Sequence, residues 1–156
     1  EEKLQKHFEI VAFSDGACRG NPGPGAWGAL VLSQKNEVLF EGSGVEVGTT
    51  NNRMELTGAI ECLKFLTDES DKKISLVSDS KYVVDGITSW VAGWKKRGWK
   101  KADNKAPENL DLWQELDELV TDFTHLKFQW VKGHSGYPQN EYVDELANKA
   151  LDEAGF

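Results

Sequence analysis

Four acids in this chain stand where they could do chemistry: Asp15, Glu55, Asp79 and Asp144. Asp15 follows the apolar run Phe8 to Phe13 as Ser14-Asp15-Gly16, and Asp79 follows Ile74 to Ser78 as Ser78-Asp79-Ser80. A run apolar on both faces is the mark of a strand buried on both sides. A carboxylate at its exit, on backbone freed by glycine, suits a site better than a core. Glu55 is expected in the first turn of a helix, and Asp144 in the first turn or so of another. Brought together, such carboxylates repel one another unless cations neutralise them. An all-oxygen donor set favours magnesium or manganese over zinc, and no Cys/His spacing for zinc is present. The expected centre is therefore that of a metal-dependent nuclease, with Asp15 as its first ligand.

Taken singly, each acid has an ordinary use. Asp79 could cap a helix, and Glu55, three residues after Asn52, could complete a capping box. Asp144 suits a helix dipole, and Asp15 could satisfy a turn. Their joint placement is what points to a site. His134 lies in Gly133-His134-Ser135-Gly136, a context suited to proton handling beside acids rather than to core packing. Gly23-Pro24-Gly25-Ala26-Trp27-Gly28 matches G-x-G-x-x-G in form, but a strand follows it rather than a helix, so the dinucleotide reading fails.

The elements that must position these groups follow from periodicity. Residues 8–13, 26–32 and 38–45 read as an antiparallel meander, its second and third strands joined by Ser33 to Glu37. Gly42 and Gly44 suggest a bent or bulged third strand. Asn51-Asn52 supply cap chemistry for a helix to about Leu66, whose stripe is Leu56, Ala59, Ile60, Leu63 and Leu66. Residues 74–78 form a fourth strand, and strand–helix–strand order makes it parallel within the sheet. Asp15 and Asp79 then emerge at one sheet edge if their strands are neighbours. One helix begins at Ser80, with Tyr82, Val83, Ile87, Trp90, Val91 and Trp94 on a face, and another spans about Leu110 to Phe123. A fifth strand, 126–131, leads through a loop over residues 132–139 to a last helix from Asn140 to about Ala154.

At 156 residues, 39% hydrophobic and with six tryptophans, the chain is expected to be a single domain with its own core, residues 1–7 forming a flexible tail. No apolar run reaches the roughly 18 residues of a membrane span, and no signal-peptide pattern opens the chain. Two cysteines make no disulfide framework, so a reducing, cytoplasmic setting is expected. Net charge is −8, but residues 92–106 hold six basic residues and one acid, leaving +5 there and −13 on the remainder. Across residues 90–101, Trp90, Trp94, Lys95, Lys96, Arg97, Lys100 and Lys101 interleave aromatics with cations. A local basic protrusion can grip phosphates even on an acidic body, because screening confines each charge to about 10 Å.

Together these motifs resemble ribonuclease H of type 1, the bacterial-type enzymes that cut RNA in RNA–DNA hybrids. The likeness covers about Phe8 to Ala150. It rests on Asp15-Gly16 with Gly20-Asn21-Pro22-Gly23-Pro24-Gly25, Thr50 to Leu56, Ser78 to Val83, the basic segment, Asp111-Leu112-Trp113, Trp130 to His134, and Asn140-Glu141 with Asp144 to Ala147.

The resemblance implies an α/β fold with a five-stranded mixed sheet, order 3-2-1-4-5, flanked by helices. It makes Asp15, Glu55, Asp79 and Asp144 the ligands of two magnesium ions, replaceable by manganese, and His134 the mobile catalytic histidine. Asp15 would bridge both ions, Glu55 and Asp79 would hold the one near the leaving oxygen, and Asp144 would hold the one activating water. The implied products carry 3′-hydroxyl and 5′-phosphate ends. Substrate contacts would come from Gly16, Cys18, Asn21, Asn51, Asn52, Lys81, Asn140 and the protrusion's Trp90, Trp94, Lys95, Lys96, Arg97, Lys100 and Lys101. The expected partner is an RNA–DNA hybrid, bound by a monomer with no membrane contact. Lys81 departs from a common glutamine, Ser135 from an alanine, and Tyr142-Val143 from an Arg-Cys pair. Two rivals remain at this point. A resolvase- or integrase-like enzyme on the same fold would leave the protrusion and the Gly-His-Ser-Gly loop unexplained. A non-catalytic hybrid-binding module would have no use for repelling carboxylates beside phosphates.

Overall fold

The structure, a computed structural model, describes residues 7–133 and 137–156. The expectations for His134 and for residues 1–6 of the tail lie outside the described residues.

The apolar runs of the N-terminal third become three strands, each longer than periodicity suggests. These are β1 (Ile10–Cys18), β2 (Gly23–Ser33) and β3 (Val38–Thr49). β1 pairs antiparallel with β2 from Ile10↔Ser33 to Cys18↔Gly25. It also pairs parallel with β4 (Lys73–Ser78), from Ile10↔Ile74 to Ser14↔Ser78. β5 (His125–Trp130) lies parallel on the far side of β4. The order is β3-β2-β1-β4-β5, as the resemblance implies.

Two expectations about the first strand need correction. β1 does not stop at Phe13, and Asp15 is not at its exit, because β2 continues to pair with β1 for four residues beyond the end of β4. The glycine-rich stretch is likewise less of a loop than expected. Gly23, Pro24 and Gly25 already belong to β2, and the Arg19 N–H closes the turn on the Pro24 carbonyl at 2.7 Å. The third strand does carry register shifts, but opposite Gly23–Gly25 and Val31–Leu32 rather than at Gly42 and Gly44. Those two glycines instead lie under the Trp27 indole, where a Cβ on Gly44 would come within 2.5 Å of Nε1.

Helix α1 (Asn51–Phe65) is capped by Thr50, not by Asn51 or Asn52. Thr50 is extended, and its Oγ1 accepts the Arg53 N–H at 3.2 Å. The expected stripe of Leu56, Ala59, Ile60, Leu63 and Leu66 is wholly buried. The single helix expected after Ser80 divides into α2 (Lys81–Asp85), a π-helical turn (Gly86–Trp90) and α3 (Val91–Lys96). The break falls where Gly86 meets the Trp113 ring so closely that no Cβ would fit. Helix α4 (Leu110–Thr121) supplies Trp113 and Leu116 to the core. Helix α5 (Pro138–Glu153) begins two residues before Asn140, with Pro138 in the first turn, where its missing N–H costs nothing.

Alternation along β1 divides the core in two. Ile10 and Ala12 join the layer under α1 and α4, whereas Val11 and Phe13 join the layer with Val143 of α5. The sheet is thus covered on both faces, which leaves the end of β4 as the place where helices and strand ends converge.

Candidate metal centre

Register brings the first two acids together. β1 and β4 are paired through Ser14↔Ser78, so Asp15 and Asp79 are the next residues on adjacent strands at the point where β4 stops. Asp15 remains within a paired strand, opposite Gly28. Its carboxylate is therefore held by sheet backbone rather than by a turn. Asp79 is free for other work because Ser80 caps α2, its Oγ accepting the Val83 N–H at 3.2 Å. The Asp79 carbonyl accepts the Trp130 indole N–H at 2.9 Å, and the Lys81 ammonium stands 4.7 Å from the Trp130 ring centre. On the other side Gly133 closes in, and a Cβ there would lie 2.9 Å from Asp79 Oδ2.

Glu55 arrives from α1, in its second turn rather than its first. The helix can come this close because a side chain at Gly58 would press on the Asp15 carbonyl at 3.1 Å. From the opposite face α5 approaches through Gly28, the strand partner of Asp15. A Cβ on Gly28 would strike the Val143 carbonyl. Asp144 follows Val143, two residues deeper in α5 than expected because that helix starts at Pro138 rather than Asn140.

Ligand oxygens of Asp15, Glu55 and Asp79 all lie within 4.8 Å of one another. Asp15 is 4% exposed and Glu55 6%. Burial first, then the Asp79 charge, pushes the Asp15 carboxyl up from 3.8 to about 8. Burial, followed by the charges of Asp15 and Asp79, holds Glu55 well above the ordinary carboxylate range. Glu55 Oε1 is buried with no hydrogen-bond partner among the described residues. Buried acids that repel, together with an orphaned carboxylate oxygen, fit a hard divalent cation. Asp144 stands outside the group of three, yet its charge is among those raising Asp15. It is half-buried, and its Oδ1 accepts the Asn148 side-chain N–H at 3.3 Å.

The expected substrate residues occupy several settings. Gly16 is buried beneath it, its N–H donating to Asp15 Oδ1 at 2.9 Å. Asn21 links the β1–β2 turn to α1, its Oδ1 accepting the Asn51 N–H at 3.1 Å, while Asn51 and Asn52 are exposed. The Cys18 thiol is half-buried and donates to the Gly20 carbonyl at 2.7 Å. Asn140 is buried, with no hydrogen-bond partner for Oδ1 among the described residues. Trp90 and Trp94 both pack on Trp113, at 6.3 and 5.5 Å between ring centres, so they buttress the protrusion whatever else they touch. Lys96, Arg97 and Lys100 are exposed and Lys101 half-buried, whereas Lys95 is tied to Asp117 at 3.1 Å.

Sequence reasoning passed over Trp130, Asn148 and Arg19 as parts of the site. The i,i+4 spacing of Asp144 and Asn148 was visible. The Trp130–Asp79 bond and the reach of Arg19 to α5 join distant segments and leave no local signal.

The family model for RNase H matches residues 7–152. The ribonuclease H of Alcanivorax borkumensis is 53% identical over 145 residues, covering 92% of each chain. The chain belongs to the RNase H family. Membership makes it a ribonuclease H enzyme and gives the acid cluster a task. Ribonuclease HI of Pseudomonas syringae pv. tomato is 55% identical, over 92% of this chain and 93% of its own. Among solved structures, LC11-RNase H1 in complex with an RNA/DNA hybrid superposes with a TM-score of 0.72 at 26% identity, covering 93% of this chain and 98% of that one. Its bacterial relatives agree with the type 1 likeness of the motifs, and no helix among the described residues is long and apolar enough to cross a membrane.

Proposed function

We propose that this chain hydrolyses the RNA strand of RNA–DNA hybrids by a two-metal-ion reaction, leaving 3′-hydroxyl and 5′-phosphate ends. The observation that carries this reading is the cluster of Asp15, Glu55 and Asp79, two of them buried and all within 4.8 Å of one another. The hybrid bound by LC11-RNase H1 supports the choice of substrate. Asp15, Glu55, Asp79 and Asp144 would hold the ions, magnesium by preference and manganese as a substitute. Asp15, the acid fixed by paired sheet backbone, would anchor that set. Once bound, two divalent cations neutralise charge on the attacking and departing oxygens of an in-line displacement.

The remaining work falls to the chain itself. His134, next in sequence to the Gly133 that lies against Asp79, handles a proton during attack or product release. The Asn21–Asn51 link sets the substrate-facing turn against α1, where Asn51 and Asn52 meet the hybrid backbone. The protrusion grips phosphates of the other strand, so base preference is slight. RNA is told from DNA by 2′-hydroxyls displayed across a wide minor groove. We place the enzyme in the cytoplasm as a monomer, with Cys18 and Cys62 both free.

Cleavage of end-labelled hybrid, duplex DNA and duplex RNA, with magnesium or with EDTA, tests the reading. The hybrid alone should be cut, only with the metal, and not by Asp15→Asn. Full activity of Asp15→Asn, or cutting in EDTA, would overturn it.

A further inference from the structure

Asp144 is the acid of the four with least support from the sheet, since it stands on a helix flank and outside the group of three. A carboxylate so placed has several rotamers open to it. Two residues restrict that freedom here. Asn148, one turn along α5, donates its side-chain N–H to the Asp144 carbonyl at 3.0 Å and to Asp144 Oδ1 at 3.3 Å. Its amide oxygen faces the other way and accepts from Arg19 Nη2 at 3.4 Å, while the same nitrogen donates to the Asn148 carbonyl at 3.3 Å. Arg19 is itself anchored by Nη1 to Asp152 Oδ1 at 2.8 Å.

The chemistry of this chain of contacts runs one way. A carboxylate only accepts and a guanidinium only donates, so one orientation of the amide between them satisfies both. Arg19 therefore fixes the face that Asn148 presents to Asp144. Arg19 also sits in the β1–β2 turn, two residues before Asn21, and its own N–H closes that turn on Pro24. The substrate-facing turn and the fourth acid are thus joined by side chains across a sequence separation of 129 residues.

We propose that Asn148 is a positioning residue for Asp144, and that Arg19 holds Asn148 in its working orientation. The inference rests on the reading of Asp144 as a ligand. Outer-shell partners of this kind are worth about 10–100-fold in metal affinity or activity. Asn148→Ala should raise the magnesium concentration for half-maximal hybrid cleavage about 10-fold, with KM for hybrid little changed. Arg19→Ala should shift it in the same direction by less, and Arg19→Lys should recover part of the loss.

A second measurement needs no turnover. The rise in Tm produced by a fixed magnesium concentration, taken against EDTA, should shrink in Asn148→Ala and Arg19→Ala, with Tm in EDTA close to that of the wild type. Wild-type magnesium dependence in both assays would overturn the inference, as would a loss of Tm in EDTA large enough to account for the loss of activity. A wild type unable to cut hybrid would instead overturn the proposed function, and the Tm comparison would still decide the role of Asn148.

Discussion

Asp15 is a carboxylate held where it cannot easily ionise. It is 4% exposed, beside two other acids, and burial and Asp79 lift its carboxyl to about 8. The sign of the consequence for stability follows from linkage. Between pH 3.8 and about 8 the folded state keeps a proton that the unfolded chain has lost, so stability falls as pH rises through that window. This contribution is fully present below pH 3.8 and gone above about pH 8, and the raised Glu55 acts in the same direction. Asp15→Asn should therefore stabilise the metal-free protein by about 1–3 kcal/mol at pH 8 and by little at pH 4. Urea unfolding in EDTA across that range is the check, and a variant no more stable at pH 8 would refute the claim. Magnesium should stabilise the wild type more than the variant, since a ligand favours only the state that binds it. Asp15 and Asp79 were legible as a pair because two apolar runs each ended near an acid. That Asp79 is no cap was not legible, for Ser80 beside it offers the same chemistry and the backbone decides between them.

At the scale of elements, the centre depends on two helices approaching one strand from opposite sides. Gly28 and Gly58 are the contacts where they close. Gly28→Ala would push its new methyl into the Val143 carbonyl and move α5, carrying Asp144, off the sheet. Overpacking of this kind costs about 1–3 kcal/mol. The expected result is a lowered Tm and a raised magnesium requirement in one variant; a drop in Tm with metal dependence unchanged would show that α5 can shift without disturbing the site. Strand order and helix faces were readable because periodicity and the right-handed crossover leave few choices. Strand ends were not. β1 runs on past Phe13 because β2 is long enough to pair with it, and the sequence of β1 does not state the length of its neighbour. The break at Gly86–Trp90 was equally hidden, since it answers to Trp113, which is 23 residues beyond Trp90 in the chain.

Across the whole molecule, charge is divided rather than mixed, with +5 on residues 92–106 and −13 elsewhere, against a total of −8. On the proposed reading, in which this protrusion grips phosphates, an acidic body beside an acidic nucleic acid makes binding depend on how it is deployed. Tyr82, Trp90, Trp94 and Trp113 form a contiguous aromatic cluster beneath it, with ring centres 5.2–6.3 Å apart. A base so built keeps α3 and the following turn at a fixed attitude to the metal centre. Its cations are not equivalent, however. Lys95, exposed like Lys96, Arg97 and Lys100, differs from them in being paired with Asp117 at 3.1 Å, which counters its charge within the protein. Hybrid affinity measured in EDTA at several salt concentrations separates the two cases. Each exposed cation that meets a phosphate, replaced by alanine, should weaken binding and reduce the slope of log K against log salt by about 0.7–0.9. Lys95→Ala should leave that slope near the wild-type value, because its charge is already countered within the protein. Equal slopes for Lys95→Ala and Lys96→Ala, both below that of the wild type, would mean that Asp117 releases Lys95 when the hybrid arrives.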